Sequence, residues 1–301
     1  MKKRLPILIM LCLMTFASCI KDDIENCPGK MHFHFSFIYG GMNQFFEMEK
    51  TDLGIHFYHQ DETVRYREIS IPRNSIGPQK PYVMEKTLED RDRIELISWS
   101  TDPVVDYVNP PETPKGEGYV YLKEITEGSG ICHPADDLFY GRVTFDSKER
   151  LIRNDVTIPY VRAVCRVRIT MIPETVQSGD SNIIPHSEDY RFHLFGTQNI
   201  INDNNIAGGD EIILQPDCFF DSSSGNVMTN WFAAFPGREG EYLKVKIFIR
   251  DEQVADFDCA PIGISSVAGD YIDLIIDGRY VRPIMEVKVN GWRIATVISN
   301  M

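Results

Sequence analysis

Long apolar runs are scarce in this chain of 301 residues. Beyond the first fifteen or so positions, no segment approaches the roughly eighteen to twenty apolar residues that a membrane-spanning helix needs, so the bulk of the chain is expected to be a soluble body. Positive charge is also short, with 31 Lys and Arg against 44 Asp and Glu and a formal net charge of −13. Neutralising phosphates takes a basic surface, so nucleic acid is not an expected partner. Such acidity suits solubility and low self-association outside the cell. Three-turn amphipathic helices, Cys-x-x-Cys pairs, a phosphate loop and a dinucleotide fingerprint are all missing. Gly263-Ile264-Ser265-Ser266-Val267 fails the Gly-x-Ser-x-Gly elbow at its last position.

The one apolar run that is present lies at the start. Lys2, Lys3 and Arg4 precede Leu5 to Met14, which is too short for a stable span and reads as a signal peptide over residues 1–18. Phe16-Ala17-Ser18-Cys19 follows, where small or neutral residues before a cysteine suit a lipoprotein signal peptidase. The cut leaves Cys19 first, its thiol carrying a diacylglyceryl group; secretion with cleavage after Ala17 is the alternative. Several acyl chains, at about 0.8 kcal/mol per buried CH₂, hold a protein to a bilayer without help from its folded part. Residues 19–30 read as a tether, within which Lys21-Asp22-Asp23 resembles the signal that sends lipoproteins of Bacteroidetes to the outer face of the outer membrane. The expected location is the cell surface.

Losing the leader takes the net charge to about −16 and leaves about 280 residues, enough for two domains. Of seven cysteines, Cys27, Cys132, Cys165, Cys218 and Cys259 remain after Cys12 is cleaved off and Cys19 acylated. Five cannot all pair within one chain. Cys165 and Cys259 read as small core residues, with a bridge in an oxidising compartment as the alternative, and Cys27 as a means of pinning the tether to the body.

From Met31 onward, apolar and polar residues alternate with period two between Gly, Pro, Asn and Asp, the pattern of an all-β protein. Phe33, Phe35 and Phe37 alternate with His32, His34 and Ser36 in the first strand. Strands over Leu53 to His59, Ile94 to Trp99 and Val156 to Met171, among others, predict two antiparallel β-sandwiches, residues 31–154 and 155–301. In the Val156 to Met171 strand, Val161, Ala163, Cys165, Val167, Ile169 and Met171 are expected on one face, with Arg162, Arg166 and Arg168 forming a stripe on the other that reads as a solvated strand face, with binding of an anionic glycan as the alternative. Thr101 to Gly118, Gln177 to Asp189 and part of Asp217 to Asn226 are expected as loops.

Chemistry is sparse. His32 with His34, joined in principle by His56 and His59, permits a metal site, but histidines on a polar strand face explain them more simply. Cys132-His133 pairs a nucleophile with a base, yet adjacent residues on a strand point apart. Carboxylate pairs such as Glu89-Asp90, Asp136-Asp137 and Asp256 with Asp258 are uninformative amid so many. Trp99, Trp231 and Trp292 adjoin strand runs and are expected in the core rather than as sugar platforms. Nothing requires a cofactor, and no enzyme is expected.

An ordered set of motifs does carry a signal: Cys19-Ile20-Lys21-Asp22-Asp23 with Cys27-Pro28, the strand Phe33 to Phe37, Asp137-Leu138-Phe139-Tyr140-Gly141, the run Arg162 to Ile169, and Val289-Asn290-Gly291-Trp292. Together they resemble the FimB-type fimbrial anchor, or minor fimbrillin, family of Bacteroidales over nearly the whole chain. The resemblance implies two transthyretin-like antiparallel β-sandwich domains and a lipid-anchored subunit at the base of a surface fimbria, ending its assembly. Its partners would be a fimbrial shaft subunit, joined by strand exchange, and the outer membrane. Shaft subunits of such fimbriae open an acceptor groove by losing their N-terminal strand, whereas the same cut here would free the body from Cys19. The candidate donor strand is therefore C-terminal, Arg293, Ile294, Ala295, Thr296, Val297 and Ile298, unless these residues simply form the last strand of their own sandwich. A surface glycan-binding lipoprotein is the other reading, with aromatic side chains exposed together on one face.

Overall fold

Period-two alternation becomes strands throughout the computed structural model, which describes residues 30–39, 41–48, 52–59, 65–85, 93–100, 105–108, 115, 117–135, 137–146, 155–173 and 187–300. In chain order these are β1 (Lys30–Ser36), the short pair β2 (Ile38–Tyr39) and β3 (Met42–Asn43), β4 (Leu53–His59), β5 (Arg65–Ile71), β6 (Tyr82–Glu85) and β7 (Arg93–Ser100). Then come β8 (Val105–Val108), β9 (Tyr119–Leu122), β10 (Ile131–Cys132), β11 (Phe139–Asp146), β12 (Asp155–Arg162) and β13 (Cys165–Ile172). The remainder gives β14 (Tyr190–Asn202), β15 (Ala207–Leu214), β16 (Cys218–Asp221), β17 (Asn226–Thr229), β18 (Phe232–Ala234), β19 (Lys244–Ile249), β20 (Glu252–Asp258), β21 (Tyr271–Asp277), β22 (Ile284–Val289) and β23 (Trp292–Ile298). The α-helix of the described residues is a single turn at Phe45–Met48.

The first unit is a curled seven-stranded path, β5-β4-β7-β11-β12-β1-β6. It turns back on itself at β12, whose residues Asp155 to Pro159 pair with β1 and whose Tyr160 to Arg162 pair with β11. Phe33, Phe35, Leu53, Ile55, Phe57, Leu96, Val156 and Ile158 fill the space between the two arms. The second unit stacks two sheets, one ordered β10-β15-β14-β19-β20 with β8 and β9 attached, the other β16-β17-β13-β21-β22-β23 with β18 on β13. Phe192, Val245, Phe257, Val167, Ile169, Leu274 and Val287 make up much of the core between them. The molecule is all-β, built of β-sandwiches in which antiparallel pairing dominates. Each unit also has a parallel pair between an early and a late strand, β1 with β12 and β13 with β21.

The expected single strand Val156 to Met171 is in fact two strands in different sheets. Its first half, β12, belongs with β1 and β11; the chain crosses at Ala163 and Val164, both fully buried, and β13 enters the second unit. The crossing shifts the phase. Val156, Ile158, Tyr160 and Arg162 point inward before it, Cys165, Val167, Ile169 and Met171 after it, so Val161 is exposed and Arg162 is buried. The expected arginine stripe is thereby broken. The boundary expected near Asn154 lies outside the described residues, but β12 starts at Asp155 and still pairs with the first unit.

A second departure is that the first half of the chain supplies strands to the second unit. β8 lies within the expected loop Thr101 to Gly118; it pairs with β9, which pairs with β14, while β10 pairs in parallel with β15. This insertion covers the outer face of β4, β7 and β11, and Tyr58, Ile97, Trp99 and Tyr140 enter the second core. β4 and β7 are accordingly buried on both faces, so that His56, His59, Glu95, Ser98 and Ser100 are buried along with their apolar neighbours. Most of the expected loop Gln177 to Asp189 lies outside the described residues. In Asp217 to Asn226, β16 and the start of β17 flank a short turn.

Candidate functional site

Cys19, with the leader and the tether as far as residue 29, lies outside the described residues, as do Cys27, Glu89, Asp90 and Asp136, while Lys30 already belongs to β1. What can be placed is the strand that follows the tether, the strand that ends the chain, and the junction between the units.

β1 is an interior strand, held on one side by β12 and on the other by β6. Its inward residues Met31, Phe33 and Phe35 are almost wholly buried; Phe33 meets Phe57 edge-on at 6.0 Å and Phe35 stacks on Phe45 at 5.7 Å. Each such side chain stabilises the fold by about 1.5–3 kcal/mol, so withdrawing the strand exposes a large part of the first core. On the opposite face His32 Nδ1 and His34 Nε2 both reach Asp155 Oδ1 at 3.3 Å. His56 and His59 are buried instead, and among the described residues no group of three His, Cys, Asp or Glu is arranged to hold a metal.

β23 pairs with β22 and forms the edge of its sheet. The two join through Asn290 and Gly291, both at positive φ, 51° and 84°, the conformation a tight two-residue hairpin turn needs. Asn290 Oδ1 accepts the Tyr271 N–H at 2.9 Å, fixing the turn on β21. The six candidate donor residues Arg293 to Ile298 thus sit as the last strand of their own sheet, with a register shift at Ile294. They are lightly held. Ile294 and Ile298 are exposed, Trp292 is 78 % exposed, and Val297 packs partly against the core. Among the described residues β23 has no strand on its other edge.

At the junction, the two internal motifs of the sequence meet. Arg162, its side chain buried, donates from Nε to Asp137 Oδ1 at 3.0 Å and lies 4.8 to 5.6 Å from the rings of Tyr271, Phe139 and Phe37. Arg166 is a second partner of Asp137 at 3.7 Å. The Ala163 N–H donates to the Leu138 carbonyl, and the Tyr140 hydroxyl to that of Asp203. Burial pushes the Tyr140 phenol up to about 12, so it stays a donor. Trp99 Nε1 reaches the Asp203 carboxylate at 3.1 Å. Gly141 leaves room for the neighbouring strand, because a Cβ there would stand 2.8 Å from Ile158 Cγ2. Asp203 gave no warning in the sequence, being one polar residue in the turn run Asn202-Asp203-Asn204-Asn205.

The remaining candidates fall apart spatially or into the core. Cys132 is buried, its thiol pushed up to about 11, while His133 points to the surface. Cys165 and Cys259 are buried core residues with thiols raised by burial to about 12. Cys132, Cys165, Cys218 and Cys259 are all free. The tryptophans divide: Trp99 is core, Trp292 is exposed, and Trp231 lines a surface cleft with Tyr271 and Tyr39. Among the described residues no helix is long and apolar enough to cross a membrane.

The model of a family described as fimbrillin-A associated anchor proteins Mfa1 and Mfa2 matches residues 24–297. The chain belongs to that family. The likeness read from the ordered motifs is thus borne out, and this Mfa2-family chain is a fimbria-associated protein of the anchor type. A search of curated proteins finds no match. Among solved structures, the fimbrial anchor protein Mfa2 from Porphyromonas gingivalis is similar in fold at 12% identity and a TM-score of 0.57, covering 89% of this chain and 99% of that one. A protein from Bacteroides ovatus described as a candidate adhesin gives 14% identity and a TM-score of 0.63, covering 88% and 94%. One from Bacteroides thetaiotaomicron described as a candidate polysaccharide binder gives 13% and 0.60, covering 88% and 96%. At these identities the likeness is one of fold.

Proposed function

We propose that this chain is a minor fimbrial subunit, tied to the outer membrane by a lipid on Cys19, that attaches a surface fimbria and ends its assembly at the base. The observation that carries the reading is the family match, which begins at residue 24, just after Cys19, and runs to residue 297 near the end of β23. The position of β1 supports it. This strand starts at Lys30, eleven positions after Cys19, and is built into the interior of a sheet. A cut after it would part the body from its lipid, so in this reading β1 stays in place and closes the groove that a shaft subunit would open.

The fimbria then joins at the other end. β23 is the donor in this proposal: leaving β22 uncovers little core, and its main-chain groups can complete a neighbour's sheet. Replacing Cys19 with Ala tests the anchor. The protein, and fimbriae with it, is expected in the culture medium, and retention of the variant in the outer membrane would overturn the proposal.

A further inference from the structure

On the outer face of the last sheet, β13, β21 and β22 set Arg168, Asp273 and Lys288 side by side in register. Arg168 grips Asp273 through two parallel hydrogen bonds, Nε to Oδ1 at 3.1 Å and Nη2 to Oδ2 at 2.7 Å. Its guanidinium also lies 4.8 Å from the centre of the Trp231 ring. Trp231 meets Tyr271 edge-on at 5.5 Å, and Tyr39, delivered from the first unit by the β2–β3 pair, stands 6.4 Å from Tyr271. These residues line a cleft of about 310 Å³, within the size range of small-ligand sites.

The charged groups are fixed before any ligand arrives. A carboxylate and an indole face already hold the guanidinium, so little side-chain freedom is left to lose on binding. The fork uses Nε and Nη2, which leaves Nη1 as a donor, and each Asp273 oxygen keeps an acceptor site. Lys288 pairs with Glu286 at 3.2 Å, and Glu286 is shared with Arg293 at 3.3 Å, so the ammonium has donors to spare. The cleft lining itself thus holds two cations, Arg168 and Lys288, and one carboxylate, Asp273, while the Asp270 carboxylate just beyond it is taken up by Asn290 Nδ2 at 2.9 Å. At the rim, the half-exposed Tyr39 offers a flat apolar surface.

A ligand matching this set has an apolar ring face, neighbouring hydroxyls that donate and accept, and a negative charge. We propose that the cleft binds a carboxylated sugar residue of a glycan, its ring on Tyr39, its hydroxyls between Arg168 and Asp273, and its carboxylate at Lys288 and Arg168 Nη1. Recognition here is independent of anchoring, which is read from release of the Cys19 variant.

The test is calorimetric titration of the full chain in detergent with trigalacturonate, and with maltotriose as a neutral trimer. The native protein is expected to bind trigalacturonate and not maltotriose. Tyr39→Ala and Lys288→Gln, both at solvent-accessible positions, are expected to weaken binding about fivefold or more with unchanged melting temperature. Absence of trigalacturonate binding up to about 10 mM overturns the proposal, as does equal binding of maltotriose or variants that bind as tightly as the native chain.

Discussion

With its side chain buried and three aromatic rings around it, Arg162 has given up water for Asp137 and for π faces drawn from both units. Removing one partner of a buried pair strands the other, although Asp137 keeps Arg166. Arg162→Ala is therefore expected to cost about 2–3 kcal/mol in urea unfolding, with Arg162→Lys in between because an ammonium neither forks nor stacks in the same way. Gly141→Ala drives a Cβ against Ile158 and is expected to cost about 1–3 kcal/mol in the same assay. His193 offers a test in pH. Burial chiefly, opposed by a hydrogen bond to Gln215, lowers its pKa from 6.5, so the unfolded chain takes up the proton first. Its contribution to stability is expected to fall as pH drops below about 6.5, and His193→Gln should flatten the melting-temperature profile between about pH 7 and 5.

Elements were legible where one face is buried and the other wet. The three phenylalanines of the first strand pointed correctly to the buried face. The β12 to β13 crossing was not legible, because no Gly or Pro marks it: Ala163 and Val164 pass between two cores and stay apolar, so the run looks unbroken. Nor was the cleft, since Tyr39 and Tyr271 lie far apart in the chain and meet only where the units touch. Asn290-Gly291, read in the sequence only as part of a motif, supplies the two positive-φ positions of the β22–β23 hairpin. For β23 the decisive measurement is truncation before Arg293. Because the strand lies at an edge and covers little core, the shortened protein is expected to remain folded by circular dichroism yet lose its hold on the fimbria. Attachment unchanged in a stable truncated protein would leave β23 as merely its own sheet's last strand.

For the whole molecule, the chain's two halves are not its two structural units. β8, β9 and β10 come from the first half and lie in the sheets of the second, with Trp99 and Tyr140 sealing the contact through Asp203. Residues 155–301 expressed alone would lack these strands as well as the partners of β12. That fragment is expected to show no cooperative thermal transition, while the intact chain shows one.

The direction of β1 against β12 also bears on how the molecule carries load. The two run parallel, with His32 opposite Asp155 and Ser36 opposite Pro159, so the start of β1 and the end of β12 lie at opposite ends of the ladder. Tension entering upstream of Lys30 and leaving through Ala163 into the second unit pulls the strands past each other. All the rungs are then strained together in shear, whereas an antiparallel pair gripped at the same two points would unzip one rung at a time.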